Sequence, residues 1–583
     1  MATRYTIGVD FGTESARAVL VDTADGRIAG TATYSYPHGV IDRALPDTEE
    51  RLPPDWALQH PGDWIEALET LLRTLTAGAP QRAIIGIGVD FTSCTVMPAT
   101  AQGAPLCLLP EFATDPNAWP KLWKHHAAQP YADRINATAG RPDAGFLQWY
   151  GGRTSSEWSW AKAWQVLAEA PQVAAAAARW IEGGDWIVWQ LVGEEVRSAC
   201  QAGYKAHWQK DAGYPPAAFW ASLDPDLPSF LEKLGPPPHP VAACAGGLSA
   251  TWAQRTGLRE GTPVAVAVID AHAAVPAVGV CEPGRLVAIM GTSTCHLLVD
   301  PARRIVRGIS GVVEDGILPG LFGYEAGQAS VGDIFQWFVR TAVPARYAGG
   351  DGGEAAVYDR LEADAARLAP GEAGVLALDW WNGCRTPLVD ADLTGLLVGL
   401  TVTTEPHEIY RALLESTAFG TRRVIETFEA GGVPVHEVHA CGGLAERNPL
   451  LLQLTADIIG REVLVARVQH ASAVGAAIYA AAAAGERAGG YDTMVEAIRR
   501  MGSADRIRYR PRPDAQQIYE TLYRDYLALA QYFGEGHSEV MRRLRRLRVG
   551  ARQGSPTGQG GGSRHELMAG LRGTQTTGAG APE

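Results

Sequence analysis

Residues 10–15 read Asp-Phe-Gly-Thr-Glu-Ser, and residues 290–294 read Met-Gly-Thr-Ser-Thr. Each stretch follows an apolar run and precedes another that ends in Leu-Val-Asp, at Asp22 and at Asp300. The pattern predicts a strand, a Gly-Thr turn and a second strand, once in each half of the chain. Glycine lets the backbone approach a phosphate closely, and neighbouring N–H groups and hydroxyls can donate to it. Two such hairpins facing each other would grip a nucleoside triphosphate from both sides.

The size and composition are those of a globular enzyme. A chain of 583 residues is too long for one core, so two large domains are expected. The net charge of -13 argues against a nucleic-acid partner, which would need a basic face. The eight cysteines form no Cys-x-x-Cys pair, which is typical of reduced thiols and gives no zinc or dithiol site. No signal peptide or membrane-spanning run is visible, so we expect a soluble, cytoplasmic protein without a membrane partner.

The order of apolar runs predicts an α/β fold with helices on both faces of a sheet. Predicted strands lie at 5–11, 17–21, 28–36, 84–91, 264–269, 286–289 and 296–299. Predicted helices lie at 61–74, 330–342, 405–430, 447–460, 471–484 and 514–532. A Pro-rich stretch at 234–240 is typical of a domain crossing. We therefore predict domains over 1–250 and 251–535, followed by a disordered, basic and Gly-rich tail over 536–583.

Two aspartates follow apolar runs and are candidates for chemistry. Asp10 lies beside the first Gly-Thr turn, where a carboxylate either caps the turn or serves Mg²⁺ through waters. Asp270 ends the run at 264–269, and an acid there is costly unless it is paired or functional. It is either a helix cap or a general base that orients an attacking hydroxyl and takes its proton late. His272 is interpreted as a neighbouring structural donor.

A third glycine turn, at Gly442 and Gly443, opens a predicted helix whose N-terminus favours negative charge. It would be a third element facing a nucleotide. The chain has neither the G-x-x-x-x-G-K-[ST] run of a P-loop nor a G-x-G-x-x-G after its first strand, so a dinucleotide cofactor is not expected. The pair His125 and His126 has no ligand at i+3 or i+4, so we set a metal site there aside.

Further motifs complete a family pattern. They lie at 88–92, 122–126, 155–158, 203–205, 325–328, 378–383 and 417–422. With the two hairpins they resemble the FGGY carbohydrate kinases, over roughly residues 4–532. Ser-Ser-Glu-Trp at 155–158 and Glu-Ala-Gly-Gln at 325–328 are similar to the ribulokinase branch of that family. The family pattern says nothing about the chain after 536.

The resemblance implies a two-domain actin/sugar-kinase/Hsp70-like ATPase fold, with a duplicated mixed-sheet core and an active-site cleft between the domains. It also implies ATP-dependent phosphorylation of L-ribulose at its 5-hydroxyl, giving L-ribulose 5-phosphate in arabinose catabolism. The implied substrate is L-ribulose or a related ketopentose, the implied cofactors are ATP and Mg²⁺, and a homodimer is compatible with it.

The resemblance also assigns roles to residues. Asp270 would be the general base and would contact the sugar together with Trp123, Lys205 and Glu325. Asp10 would serve Mg²⁺. The residues that would bind ATP are Gly12, Thr13, Glu14, Ser15, Gly291, Thr292, Ser293, Gly442, Gly443 and Asn448. From spacing alone, Lys205 could equally be a surface cation and Glu325 a buried ion-pair acid.

Three alternatives stay open. The first is another ketose or polyol kinase of the same fold, such as a D-ribulokinase, xylulokinase or glycerol kinase. The second is a non-catalytic nucleotide or sugar sensor, which the presence of both Asp10 and Asp270 disfavours. The third is a chaperone-type ATPase, which Asp270 and the Trp-rich stretch at 107–220 disfavour. Aromatic faces in that stretch suit the C–H face of a sugar.

Overall fold

Two seven-stranded mixed sheets, one from each half of the sequence, carry the fold in the computed structural model, which describes residues 3–348 and 353–553. The strands are β1 (Tyr5–Phe11), β2 (Ser15–Asp22), β3 (Ile28–Ser35), β4 (Ile84–Phe91), β5 (Val96–Ala99), β6 (Arg179–Glu182), β7 (Cys244–Gly247), β8 (Pro263–Ala265), β9 (Val268–Ile269), β10 (Arg285–Met290), β11 (Thr294–Asp300), β12 (Gly311–Glu314), β13 (Phe322–Gln328), β14 (Leu376–Leu378), β15 (Leu396–Val398), β16 (Glu437–Cys441), β17 (Val463–Ala466) and β18 (Arg506–Tyr509).

Helices surround the sheets. They are α1 (Pro61–Ala77), α2 (Gln129–Asn136), α3 (Ser159–Glu169), α4 (Pro171–Ala176), α5 (Gly183–Val192), α6 (Ala199–Ala206), α7 (Ala217–Ala221), α8 (Ala250–Thr256), α9 (Asp270–Ala277), α10 (Gly332–Thr341), α11 (Ala345–Ala348), α12 (Gly353–Ala365), α13 (Pro406–Ala430), α14 (Gly443–Arg447), α15 (Pro449–Ile459), α16 (Ala471–Ala484), α17 (Met494–Met501), α18 (Pro513–Gly534) and α19 (Val540–Gln553).

The two sheets repeat one arrangement. The first has the order β3-β2-β1-β4-β8-β7, with β9 also paired to β4, and the second has the order β12-β13-β11-β10-β16-β17-β18. In each sheet an antiparallel hairpin, β1–β2 or β10–β11, lies beside a parallel strand, β4 or β16. The predicted α/β fold with a duplicated mixed-sheet core is confirmed.

Glycines let the Ala-rich helix α16 lie directly on strands β1 and β4. A Cβ on Gly8 would lie 1.8 Å from the carbonyl oxygen of Ala473, and one on Gly88 would lie 1.9 Å from that of Ala476. Because the helix presents only small side chains here, the backbones approach to distances that no larger residue permits. The alanine run of the sequence is therefore the surface on which the first sheet packs.

Replacing Gly475 with Ala is expected to lower the free energy of unfolding by about 1–3 kcal/mol, the usual cost of overpacking a core. A Cβ there would lie 1.6 Å from the carbonyl oxygen of Ala273 in α9, so one helix must move. Thermal unfolding measures the loss. The control is Gly140→Ala, where a Cβ meets nothing within 4 Å. An unchanged melting temperature for Gly475→Ala would show that the two helices are not in contact.

The first sheet extends past the predicted boundary at 250, because β8 and β9 belong to it. The predicted strand at 264–269 is two short strands, since β8 pairs with β4 at Ile87 and β9 rejoins it at Asp90. The division of the chain into two domains stays a prediction, with its boundary moved beyond Ile269.

The expectation of a disordered tail from 536 is wrong over α19. Met541 is buried, and the guanidinium of Arg542 contacts the carboxylate of Asp390 at 2.7 and 2.9 Å, so this stretch packs on the protein. The rest of the predicted tail, 554–583, lies outside the described residues. Across 3–348 and 353–553, no helix has the length and hydropathy needed to cross a bilayer.

Candidate active site

Three aspartates lie at the ends of neighbouring parallel strands. Strands β1 and β4 pair in register, so that Asp10 lies opposite Asp90. Strand β9 also runs parallel to β4, and Asp270 follows it as the first residue of α9. Because parallel strands end at the same edge of a sheet, the three carboxyl groups converge there.

Crowding and burial disfavour the ionised forms of these acids. Burial, followed by the carboxylates of Asp10 and Asp270, raises the pKa of Asp90 well above its usual range. Burial and the Asp10 carboxylate also raise the pKa of Asp270 to about 7. Burial raises the pKa of Asp10 as well, although Arg17 lies 3.5 Å from it. Asp90 is fully buried, and neither of its carboxyl oxygens has a hydrogen-bond partner among the described residues.

This set of carboxylates fits a hard divalent cation such as Mg²⁺, which prefers oxygen ligands and relieves their repulsion. A second cluster, formed by His38, His60 and Asp63, also brings potential metal ligands within 4.8 Å of one another. There, however, Asp63 accepts from the backbone N–H of His38 at 3.0 Å and lies 2.7 Å from its Nδ1, while His60 Nδ1 caps α1 through Gly62. These groups are already engaged in holding the start of α1.

Each Gly-Thr turn is closed by a backbone hydrogen bond from its glycine. The N–H of Gly12 donates to the carbonyl of Ser15 at 3.0 Å, and the N–H of Gly291 donates to the carbonyl of Ser293 at 2.9 Å. The amides left without an intramolecular acceptor among the described residues are those of Thr13, Glu14, Thr292 and Ser293. Adjacent free amides at a turn form an anion-binding concavity.

Other elements hold these turns in place. The amide of Gln59 donates to the carbonyl of Thr13 at 2.8 Å, and the N–H of Val331 donates to that of Thr292 at 2.7 Å. Gly442 has a φ of 96°, and a Cβ on it would lie 2.6 Å from the carbonyl oxygen of Met290. A glycine is required at 442 for both reasons. The third glycine turn therefore lies directly against the second hairpin.

Asn448 fixes the loop that follows this third turn. Its side chain accepts from the N–H of Leu451 at 2.8 Å and donates to the hydroxyl of Tyr410 at 3.2 Å. Both ends of the amide are thus used within the protein, as an N-cap of α15.

Lys205 on α6 and Glu325 on β13 form a buried ion pair, with Nζ 2.8 and 2.9 Å from the two carboxylate oxygens. Burial alone would lower the pKa of Lys205, but the Glu325 carboxylate raises it, and the net shift is upward. Burial opposes ionisation of Glu325 too, yet Lys205 brings its pKa well below the usual range. The ring of His272 lies 3.4 Å from the same carboxylate. Lys205 is therefore not a surface cation, and both groups are charged.

Each Gly-Thr turn lies next to another candidate site residue. The indole N–H of Trp123 donates to the hydroxyl of Thr13 at 3.1 Å. Burial, followed by the carboxylate of Glu325, raises the pKa of the Cys295 thiol to about 12, and Asp270 adds to the effect. Cys295 is the second residue of β11, two positions after Ser293, so the second Gly-Thr turn lies close to Glu325 and Asp270.

Sequence reasoning missed Asp90 as a site residue, although a signal was present. Gly-Val-Asp-Phe occurs at 8–11 and again at 88–91, and the two copies lie side by side in β1 and β4 with their phenylalanine rings stacked at 5.2 Å. It also missed the contact of Glu157 with Arg385, because two residues 228 positions apart leave no local signal.

Comparison with known proteins decides the family. Residues 286–484 match the model of the FGGY family of carbohydrate kinases, C-terminal domain. A ribulokinase from Geobacillus thermodenitrificans is 50% identical over 556 residues, covering 95% of this chain and 98% of the relative. The chain belongs to the FGGY family of carbohydrate kinases. A ribulokinase from Mycolicibacterium smegmatis is 48% identical over 562 residues, covering 96% of this chain and 99% of the relative.

Solved structures agree on the fold of this FGGY kinase. The xylulose kinase from Rhodospirillum rubrum has a TM-score of 0.74 at 24% identity, covering 90% of this chain and 98% of that one. A ligand-bound xylulose kinase from Lactobacillus acidophilus has a TM-score of 0.73 at 18% identity, covering 91% and 99%. As an FGGY kinase the protein is an enzyme that phosphorylates a small sugar with ATP.

Proposed function

We propose that this FGGY kinase phosphorylates L-ribulose at its 5-hydroxyl, giving L-ribulose 5-phosphate. The observation that carries the proposal is the buried Lys205–Glu325 ion pair, which lies close enough to Asp270 for both of its charges to act on that carboxyl group. A pentulose offers hydroxyls in fixed directions, and the pair supplies a cationic donor and an anionic acceptor for them. The named ribulokinase relatives, about half identical over nearly the whole chain, support this choice of sugar.

In this proposal Asp270 is the general base. Its pKa of about 7 is matched to a group that must be ionised to accept a proton and protonated after transfer. The transition state of phosphoryl transfer is loose, so Asp270 orients the 5-hydroxyl and takes its proton late. Trp123 would pack against the sugar while its indole N–H holds Thr13 of the first turn.

The two Gly-Thr turns would bind the phosphates of ATP through their free amides, and the turn at Gly442 and Gly443 would lie by the adenosine. Asp10 and Asp90 would hold Mg²⁺, directly or through waters. When bound, the ion would neutralise charge on the phosphates. The residues around it would then keep the sugar hydroxyl and the phosphate in line.

The test is ADP release across a panel of L-ribulose, D-ribulose, D-xylulose, pentitols and glycerol. We expect turnover with L-ribulose to exceed that with any other acceptor in kcat/KM. Turnover confined to D-xylulose or glycerol would contradict the proposal and favour another FGGY activity. The absence of turnover with every acceptor in the panel would favour a sensor. A homodimer and a cytoplasmic location remain predictions of the sequence alone.

A further inference from the structure

Three motifs have no part in the catalytic set. They are Ser-Ser-Glu-Trp at 155–158, Ala-Gly-Gln at 326–328 and Trp-Asn-Gly-Cys-Arg at 381–385. They come from distant parts of the chain, yet they meet at the guanidinium of Arg385. The meeting point lies beside the strand that carries Glu325.

Arg385 lies over Gly327 of β13. A Cβ on Gly327 would lie 2.8 Å from the carbonyl oxygen of Thr294 and 3.5 Å from Cδ of Arg385, so no side chain fits between them. The next residue ties the loop to the strand, because the N–H of Thr386 donates to the carbonyl of Gly327 and the N–H of Gly327 donates to the hydroxyl of Thr386, each at 3.2 Å. Arg385 is thereby fixed against Gly327, which lies two residues after Glu325 in β13.

Glu157 reaches Arg385 from the first half of the chain. Its carboxylate lies 3.2 Å from Nη2 of Arg385, and this proximity is the main reason that the pKa of the guanidinium is raised. The N–H of Glu157 donates to the hydroxyl of Ser155, which fixes the turn. The ring of the next residue, Trp158, lies 5.7 Å from Nζ of Lys205. The segment at 155–158 therefore touches both Arg385 and the sugar-binding lysine.

The loop that carries Arg385 is held at its other end too. Cys384 and Asp390 exchange two backbone hydrogen bonds, at 2.8 and 2.9 Å. Arg153 of the first half donates to the carbonyl of Val389 at 3.0 Å, and Arg542 of α19 binds the Asp390 carboxylate. The loop thus contacts the first half of the chain, strand β13 and the C-terminal helix α19.

We propose that the Glu157–Arg385 ion pair is a positioning element that aligns the first half of the chain against β13 and thereby sets the affinity for the sugar. The proposal rests on the proposed function, because it takes Lys205 and Glu325 as sugar ligands. The carboxylate is 18% exposed and the guanidinium 23%. Water therefore still reaches both groups when the pair is broken.

Glu157→Gln tests the proposal in the full-length enzyme. We expect KM for the sugar to rise about tenfold, within the usual range of coupling between sites, with kcat and KM for ATP largely unchanged. The reversed pair Glu157→Arg/Arg385→Glu should recover much of the lost affinity. The control is Lys210→Met, which breaks ion pairs with Glu314 at 2.8 Å and Asp315 at 2.7 Å between the same two halves and should leave KM unchanged.

A wild-type KM for the sugar in a folded Glu157→Gln enzyme would overturn the proposal. A fall in kcat as large as the expected change in KM, which the reversed pair does not repair, would overturn it as well. Glu157 would then act on the reaction itself. Thermal melting of each variant establishes folding. The sugar used is the best acceptor found in the panel, so failure with L-ribulose counts against the proposed function and leaves this test intact.

Discussion

Asp270→Asn is expected to lower kcat about 10²–10⁴-fold, the scale of losing a positioned acid–base group, and to leave ATP binding intact. The amide has the shape of the carboxyl and can still accept the N–H of Ala271, which Asp270 accepts at 2.7 Å. It cannot take a proton from a sugar hydroxyl. Steady-state kinetics and direct measurement of ATP affinity separate these two effects. Asp514→Asn, in the exposed first turn of α18, is the matched control.

The pH dependence of kcat/KM provides a second measurement on the same variant. Because burial and Asp10 raise the pKa of Asp270 to about 7, the base is protonated and inactive at lower pH. The wild-type kcat/KM should therefore rise as pH increases through about 7 and level off above it. The variant should lose this rise together with its rate. Near-normal turnover with an unchanged profile would remove Asp270 from the mechanism.

Lys205→Met is expected to abolish measurable sugar binding and to lower the free energy of unfolding by about 3–5 kcal/mol. The substitution leaves the Glu325 carboxylate buried without the partner that now lies 2.8 Å away. It also removes the cationic donor for a sugar hydroxyl, and a hydrogen bond to a charged group contributes about 1.5–3 kcal/mol. Calorimetric titration with the sugar and chemical unfolding measure the two losses.

A double variant separates binding from folding. Lys205→Met/Glu325→Leu replaces the pair with apolar groups, which commonly restores stability at buried ion pairs. We expect the double variant to melt near the wild type and still not bind the sugar. If the stable double variant bound L-ribulose normally, the pair would be structural, and the sugar site would lie elsewhere.

Local patterns in the sequence predicted much of the fold. Apolar runs that end at Gly-Thr turns identified β1, β10 and β11, and the alanine run identified α16 at its observed bounds. These features depend on neighbouring residues, whose periodicity and turn chemistry are visible in the chain. The break between β8 and β9 was not predictable, because it depends on how both strands pair with β4.

The site was predictable only in part. Glycines at 12 and 291 predict turns at which a ligand can approach the backbone closely. The pairing of Lys205 with Glu325, however, joins residues 120 positions apart. The stripe of arginines in α19 reads as solvated, because nothing local shows that Asp390 receives Arg542 or that Met541 is buried. Long-range ion pairs require the tertiary fold before they can be recognised.

A crystal structure with L-ribulose and a non-hydrolysable ATP analogue tests the central claim most directly. The account predicts the 5-hydroxyl about 2.6–3.2 Å from the Asp270 carboxylate, the reach needed for proton transfer. It also predicts phosphates between the turns at Gly12 and Gly291, with Lys205 and Glu325 on the sugar. A sugar bound with its 5-hydroxyl away from Asp270, or phosphates touching only one of the two turns, would contradict it.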